Sequence, residues 1–125
     1  MNSGLHTSLY KGEKTLIIKE IAEQLELKVI SGLELLDRKV EGGCVGDLLS
    51  VVMSKATENC VWVTVQSHVN VVAVASLADV SCVIVSEGFQ IDEDAIAKAV
   101  KEEVVLLSSK KSSYQLCCEL GKLGI

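Results

Sequence analysis

Apolar residues along this chain follow two rhythms, one repeating at helical spacing and one running unbroken through β-branched stretches. Thr15 is placed to cap a first helix, in which Ile17, Ile18, Ile21, Ala22 and Leu25 share a face while Lys19, Glu20, Glu23 and Gln24 face water. That spacing predicts a helix to about residue 25. Residues 27–30 predict a short strand that Ser31-Gly32 ends. A turn over 33–37 follows, then a second strand over 38–45 broken at Gly42-Gly43. Asp47 is positioned to cap a helix over 48–55.

The run Cys60-Val61-Trp62-Val63-Thr64-Val65 suits a strand buried on both faces. From 68 to 79 apolar residues fill almost every position, and length together with Ala73, Ala75 and Ala78 favours helix there. A strand over 81–85 and a turn at Ser86-Glu87-Gly88 come next. Asp92, with Glu93 and Asp94 behind it, opens a helix to 103. The last pair is a strand over 104–107 and a helix over 112–123.

Strands and helices that alternate at this spacing predict an α/β fold: three layers, α/β/α, around a largely parallel sheet of about five strands. The polar residues 1–14 read as a flexible leader and 15–125 as a single domain. The helix over 68–79 is apolar nearly all round, so it is either central in its layer or covered by a second subunit. In a domain this small the second option is the expectation, and it makes the protein a homodimer.

Composition sharpens this picture. Apolar residues make up 49% of the chain and charged residues 23%, which excludes an intrinsically disordered chain. There is no proline, aromatics are 3%, and eighteen valines supply an aliphatic core. The net charge of −5 with no basic stripe excludes a nucleic-acid partner, since Lys110-Lys111 alone cannot neutralise a phosphate backbone. No apolar stretch reaches the roughly 18 residues of a membrane span, and no signal peptide is visible. Five cysteines without CxxC spacing point to neither a disulfide framework nor a zinc site. They suit a reduced, cytoplasmic protein with no cofactor.

Ligands of open parallel sheets bind beyond the carboxyl ends of the strands. On this reading Gly42, Gly43, Gln66, Ser67, His68, Ser86, Gly88 and Ser108 line one rim, suited to a small anion held by helix N-termini. The same residues read equally well as caps and turns. Glu41-Gly42-Gly43-Cys44-Val45-Gly46-Asp47 is neither a Walker A loop nor GxGxxG, and Asp47 would repel a phosphate. His68 has no nucleophile beside it in usable geometry, and no GxSxG elbow exists. Arg38 beside Asp37 reads as a salt bridge across a turn or as a fork for a phosphate or carboxylate. With aromatics so scarce, a bound nucleotide is expected to be held by backbone and small polar groups rather than by stacking.

Three stretches carry a family pattern: Asp37-Arg38-Lys39-Val40-Glu41-Gly42-Gly43, Gly46-Asp47-Leu48-Leu49-Ser50, and the run from Trp62 to Ala75 containing Thr64-x-Gln66-x-His68-x-Asn70. Together they resemble the DRTGG domain family over about residues 15–125. The threonine of the naming motif is replaced here by Lys39-Val40-Glu41. The resemblance implies an α/β domain similar to the N-terminal domain of HPr kinase/phosphorylase. It also implies kinship with bacterial modules that accompany phosphotransacetylase-related enzymes and CBS-domain pyrophosphatases, where they regulate and make subunit contacts.

The resulting expectation is a non-catalytic regulatory module. It binds a small anionic metabolite or nucleotide through Arg38, Gly42, Gly43, Gln66, Ser67, His68, Ser86, Gly88 and Ser108. The alternatives are a pure assembly module without a ligand and, behind it, a small hydrolase or transferase using His68 as a base.

Overall fold

Strands that are apolar on both faces need helices on each side, and the chain supplies them. A computed structural model describes residues 15–125, and the leader expected over 1–14 lies outside them. In chain order it contains β1 (Leu16–Ile17), α1 (Ile18–Gln24), β2 (Lys28–Ser31), a 3-10 turn (Leu33–Leu35), β3 (Lys39–Val40) and β4 (Gly42–Val45). Then come α2 (Leu49–Lys55), β5 (Cys60–Thr64), α3 (Val69–Ala78), β6 (Cys82–Val85), α4 (Glu93–Glu102), β7 (Leu106–Ser108) and α5 (Ser113–Lys122).

The main sheet has the order β2-β7-β6-β5-β4. β4, β5, β6 and β7 run parallel, and β2 joins the edge antiparallel to β7. The three-layer α/β/α expectation holds. Alternation along each strand sends side chains to opposite layers. Cys60, Trp62, Val83, Val85 and Leu106 pack into one core beneath α2, α3 and α4. Val61, Val63, Cys82, Ile84 and Leu107 pack into the other beneath α1 and α5.

Ser31 repairs a bulge in β2. Its hydroxyl donates to Val104 O at 2.9 Å and accepts from Leu106 N at 3.1 Å, filling the gap in the ladder where the register shifts.

Three local expectations are corrected. Thr15 caps nothing: Leu16–Ile17 pairs with Lys39–Val40 as a small antiparallel ribbon, and α1 starts at Ile18 with Glu20 Oε1 accepting from Ile17 N at 3.0 Å. The strand expected over 38–45 divides at Glu41. There the Glu41 amide donates to Asn59 O, and Asn59 Nδ2 donates to Glu41 Oε1, so β3 stays in the ribbon while β4 joins the main sheet. Asp47 does not cap α2, because its carboxylate is engaged across the sheet end.

The apolar helix α3 lies between α2 and α4, central in its layer. Val71, Val72, Val74 and Ala75 are buried, while Val69, Asn70, Ser76 and Leu77 are exposed. Its central place in the layer covers Val71, Val72, Val74 and Ala75 within the chain, while Val69 and Leu77 stay open to solvent.

Candidate functional site: a cleft at the strand ends

The carboxyl ends of β5, β6 and β7 lie side by side, as a parallel sheet requires. Antiparallel β2 adds its amino end to the same rim, so Lys28 sits opposite Ser108. The residues expected along this rim meet three different fates.

Beyond β5 the side chains hold the fold. Asp47 Oδ1 accepts from Thr64 Oγ1 and from Val65 N, both at 2.9 Å. Gln66 Nε2 donates to Asp47 O at 2.9 Å, and Trp62 Nε1 donates to Gly46 O at 2.9 Å. Gln66 is thereby committed. Ser67 O accepts from Asp92 N, and His68 Nδ1 lies 3.2 Å from Asp92 Oδ2, tying the start of α3 to the start of α4. His68 and Asp92 are open to solvent.

Beyond β6, Ser86 is fully buried and its hydroxyl lies 2.6 Å from that of Ser113. Glu87 Oε2 accepts from Ser113 N, and Ser112 Oγ accepts from Gln115 N. The N-terminus of α5 is thus satisfied by the chain itself, with Ser112 as its cap, and the Ser86 hydroxyl is engaged with Ser113.

Gly43 borders a separate apolar cavity of about 210 Å³ with Val63 and Ile125, and Gly88 and Ser108 alone of the expected residues enter the cavity at the rim. It is a cleft of about 690 Å³, floored by β2 and β7 and walled by the loop before α4. That volume lies within the range of small-molecule sites, about 300–1,000 Å³. Ile30, Ile91 and Ile96 form an apolar side, and Phe89, 54% exposed, leans over it. Lys28 lies on the same face of β2 as Ile30 by alternation, and Lys110 approaches from the β7–α5 loop. Among the described residues neither lysine makes an ion pair. Lys111 also borders the cleft, but its Nζ donates to Leu25 O at 3.0 Å and Glu119 Oε1 at 2.9 Å. Glu26 is the one acidic lining residue, so three lysines face one carboxylate in a chain of net charge −5.

Arg38, Gly42 and Gly43 lie elsewhere, which corrects their placement on the rim. Gly42 and Gly43 open β4 and pair with Cys60 and Val61, the first residues of β5. That is the amino end of the sheet, about 13 Å from the rim at 3.3 Å per residue. The absent side chain of Gly43 leaves room for Ile125, whose Cγ2 would stand 3.1 Å from a Cβ there. Arg38 precedes β3, half-buried, and among the described residues it forms no ion pair, with Asp37 or otherwise.

Lys28, Phe89 and Lys110 are site residues that the sequence pattern does not single out. Lys28 reaches the rim only because β2 runs antiparallel, a direction that hydrophobic pattern does not encode. Phe89, the single phenylalanine, directly follows the Ser86-Glu87-Gly88 turn, and a lone aromatic in that position is the one signal that points to it.

The profile of the DRTGG domain matches residues 20–122. The chain belongs to the DRTGG domain family. No curated protein matches the sequence. Among solved structures, this DRTGG protein is similar to the crystal structure of the CBS and DRTGG domains of the regulatory region of Clostridium perfringens pyrophosphatase, complexed with its activator diadenosine tetraphosphate. The TM-score is 0.65 at 13% identity, covering 81% of this chain and 44% of that one. The likeness is one of fold, and the chain spans less than half the length of that neighbour. Among the described residues no helix is long and apolar enough to cross a membrane.

Proposed function

We propose that this DRTGG protein is a non-catalytic regulatory module that senses a small anionic ligand in the cleft between β2, β7 and the start of α4. One observation carries the reading. Lys28 and Lys110, without ion-pair partners among the described residues, face a cavity of small-molecule size in a chain that is otherwise acidic. Ammonium groups left in this state are available to an anion. The structural neighbour, a pyrophosphatase regulatory region bound to a nucleotide activator, supports a sensing role. The five free cysteines of the chain suit the reducing cytoplasm.

Thermal shift against a panel of phosphorylated metabolites, inorganic phosphate, pyrophosphate and diadenosine tetraphosphate tests the reading. A ligand at 100 times its Kd adds about 2.7 kcal/mol of stability. At least one anion raises Tm, and the double variant Lys28→Gln/Lys110→Gln abolishes the rise. No shift across the panel removes the sensing reading.

A second reading, assembly, has its own observation. β4 is an open edge strand, and Val45 (58% exposed), Leu48 (65%), Val51 and Met53 gather beside it. A second copy meeting this edge would bury them in a homodimer. Light scattering at micromolar concentration tests it, and a monomer there counts against it.

A further inference from the structure

We infer that the ligand of the cleft is a nucleotide, with its base stacked on Phe89 and its phosphates held by Lys28 and Lys110; this rests on the sensing reading above. The cleft has two chemistries. Phe89, Ile91 and Ile96 give an apolar and aromatic side, while Lys28, Lys110 and Ser108 give a cationic, hydrogen-bonding one. Inorganic phosphate would use only the second and leave most of about 690 Å³ to water. A bare nucleoside would use only the first and leave both ammonium groups without a counter-charge. A flat ring joined to phosphate uses both.

The backbone fixes the two halves relative to each other. Glu87 (φ 63°) and Gly88 (φ 73°) are consecutive left-handed residues, the pattern of a tight reversed turn. Glycine adopts that conformation freely; glutamate does so only under constraint. The constraint is visible. Glu87 N donates to Lys111 O at 2.8 Å and Gly88 N donates to Ser109 O at 2.9 Å. The turn that presents Phe89 is therefore stitched to the loop that carries Lys110. Base platform and phosphate cation form one preorganised unit, which lowers the entropic cost of binding. Phe89, more than half in water, is left with an open face, and every nucleobase offers a π-face to it, so this one ring supplies the stacking that the scarcity of aromatics argued against. Recognition by stacking predicts little discrimination between adenine and guanine.

Isothermal titration of the full chain with AMP, GMP, ADP, ribose 5-phosphate and adenosine decides the matter. AMP and GMP bind within about three-fold of each other, and ribose 5-phosphate and adenosine each bind at least about ten-fold more weakly. Phe89→Leu weakens AMP by about ten-fold without altering ribose 5-phosphate, Phe89→Tyr restores it, and Lys110→Gln weakens both. Phe89 is exposed enough that these variants fold, and circular dichroism without ligand verifies it. If ribose 5-phosphate binds as tightly as AMP and Phe89→Leu changes nothing, the nucleotide inference falls while the sensing reading stands. If no phosphorylated compound binds, both fall.

Discussion

Asp47 Oδ1 accepts hydrogen bonds from the Thr64 hydroxyl and the Val65 amide, both at 2.9 Å. A single carboxylate oxygen thus ties the β4–α2 loop to the end of β5. Thr64 is fully buried, so its hydroxyl has no water to fall back on. Losing a partner for a buried donor costs about 1–3 kcal/mol. Thr64→Val removes this bond and the one the hydroxyl accepts from Gln66 N at 3.1 Å, and is expected to lower stability by about 1–2 kcal/mol. Asp47→Ala strands both donors and is expected to cost about 2–3 kcal/mol, with Asp47→Asn between the two because its amide oxygen still accepts. Urea midpoints of the three variants check the order. An Asp47→Ala protein as stable as the parent would show that the tether contributes nothing.

This tether also shows where sequence reading reaches its limit. The most specific stretch, Thr64-x-Gln66-x-His68-x-Asn70, is legible as a motif but not as a clamp. Asp47 lies seventeen residues from Thr64 and has the position of a helix cap. Element order and the sandwich of helices are readable, because helical spacing and β-branched runs are local signals. Strand direction is not, and so Lys28 does not register at the rim. Neither does the division of 38–45, which depends on Asn59 meeting Glu41 across the chain. Without that division Gly42 and Gly43 fall at the wrong end of the sheet.

The cysteines should separate by accessibility. Cys60 and Cys82 are completely buried, one on each face of the sheet. Burial pushes the Cys82 thiol up to about 12 and raises that of Cys60 as well. Thiolate is the reactive form, so neither reacts in the folded protein. Cys44 and Cys117 are half-buried and burial raises their pKa, whereas Cys118 is exposed. Alkylation with iodoacetamide at neutral pH, read by mass spectrometry, is expected to modify Cys118 first and Cys60 and Cys82 only in urea. Native modification of Cys82 would mean the sheet opens locally.

Two glycines should respond in opposite directions to alanine. Gly32 has φ +85° before the 3-10 turn, and a Cβ there would lie 2.7 Å from Val105 Cγ2 and 3.1 Å from its Cα. Conformation and space both oppose a side chain, and Gly32→Ala is expected to cost about 1–3 kcal/mol. Gly121 lies within α5, and a methyl group added to it would meet nothing within 4 Å. There alanine removes only backbone freedom, so Gly121→Ala is expected to stabilise by about 0.5–1 kcal/mol. Thermal melts of the two proteins test the pair, and equal shifts of the same sign would contradict it.

Lys111 links α1 to α5, and acid should dissolve the link. The hydrogen bond from Lys111, helped by one from Gln115 Nε2 at 3.0 Å, holds the Glu119 carboxyl below its ordinary 4.5. The unfolded chain therefore takes up a proton at a higher pH than the folded one. The pair's contribution is complete above the unfolded value and is lost as pH falls through the folded value, on the acid side of about 4.5. Glu119→Gln keeps the shape and removes the charge. Melts of parent and variant from neutral pH downward are expected to show the parent higher by a constant margin until about pH 5, and then to converge. The pair is exposed enough for salt to reduce that margin as well. A margin that persists unchanged to about pH 3 would mean that Glu119 acts through its shape and hydrogen bonds, with its charge irrelevant to the joint between the two helices.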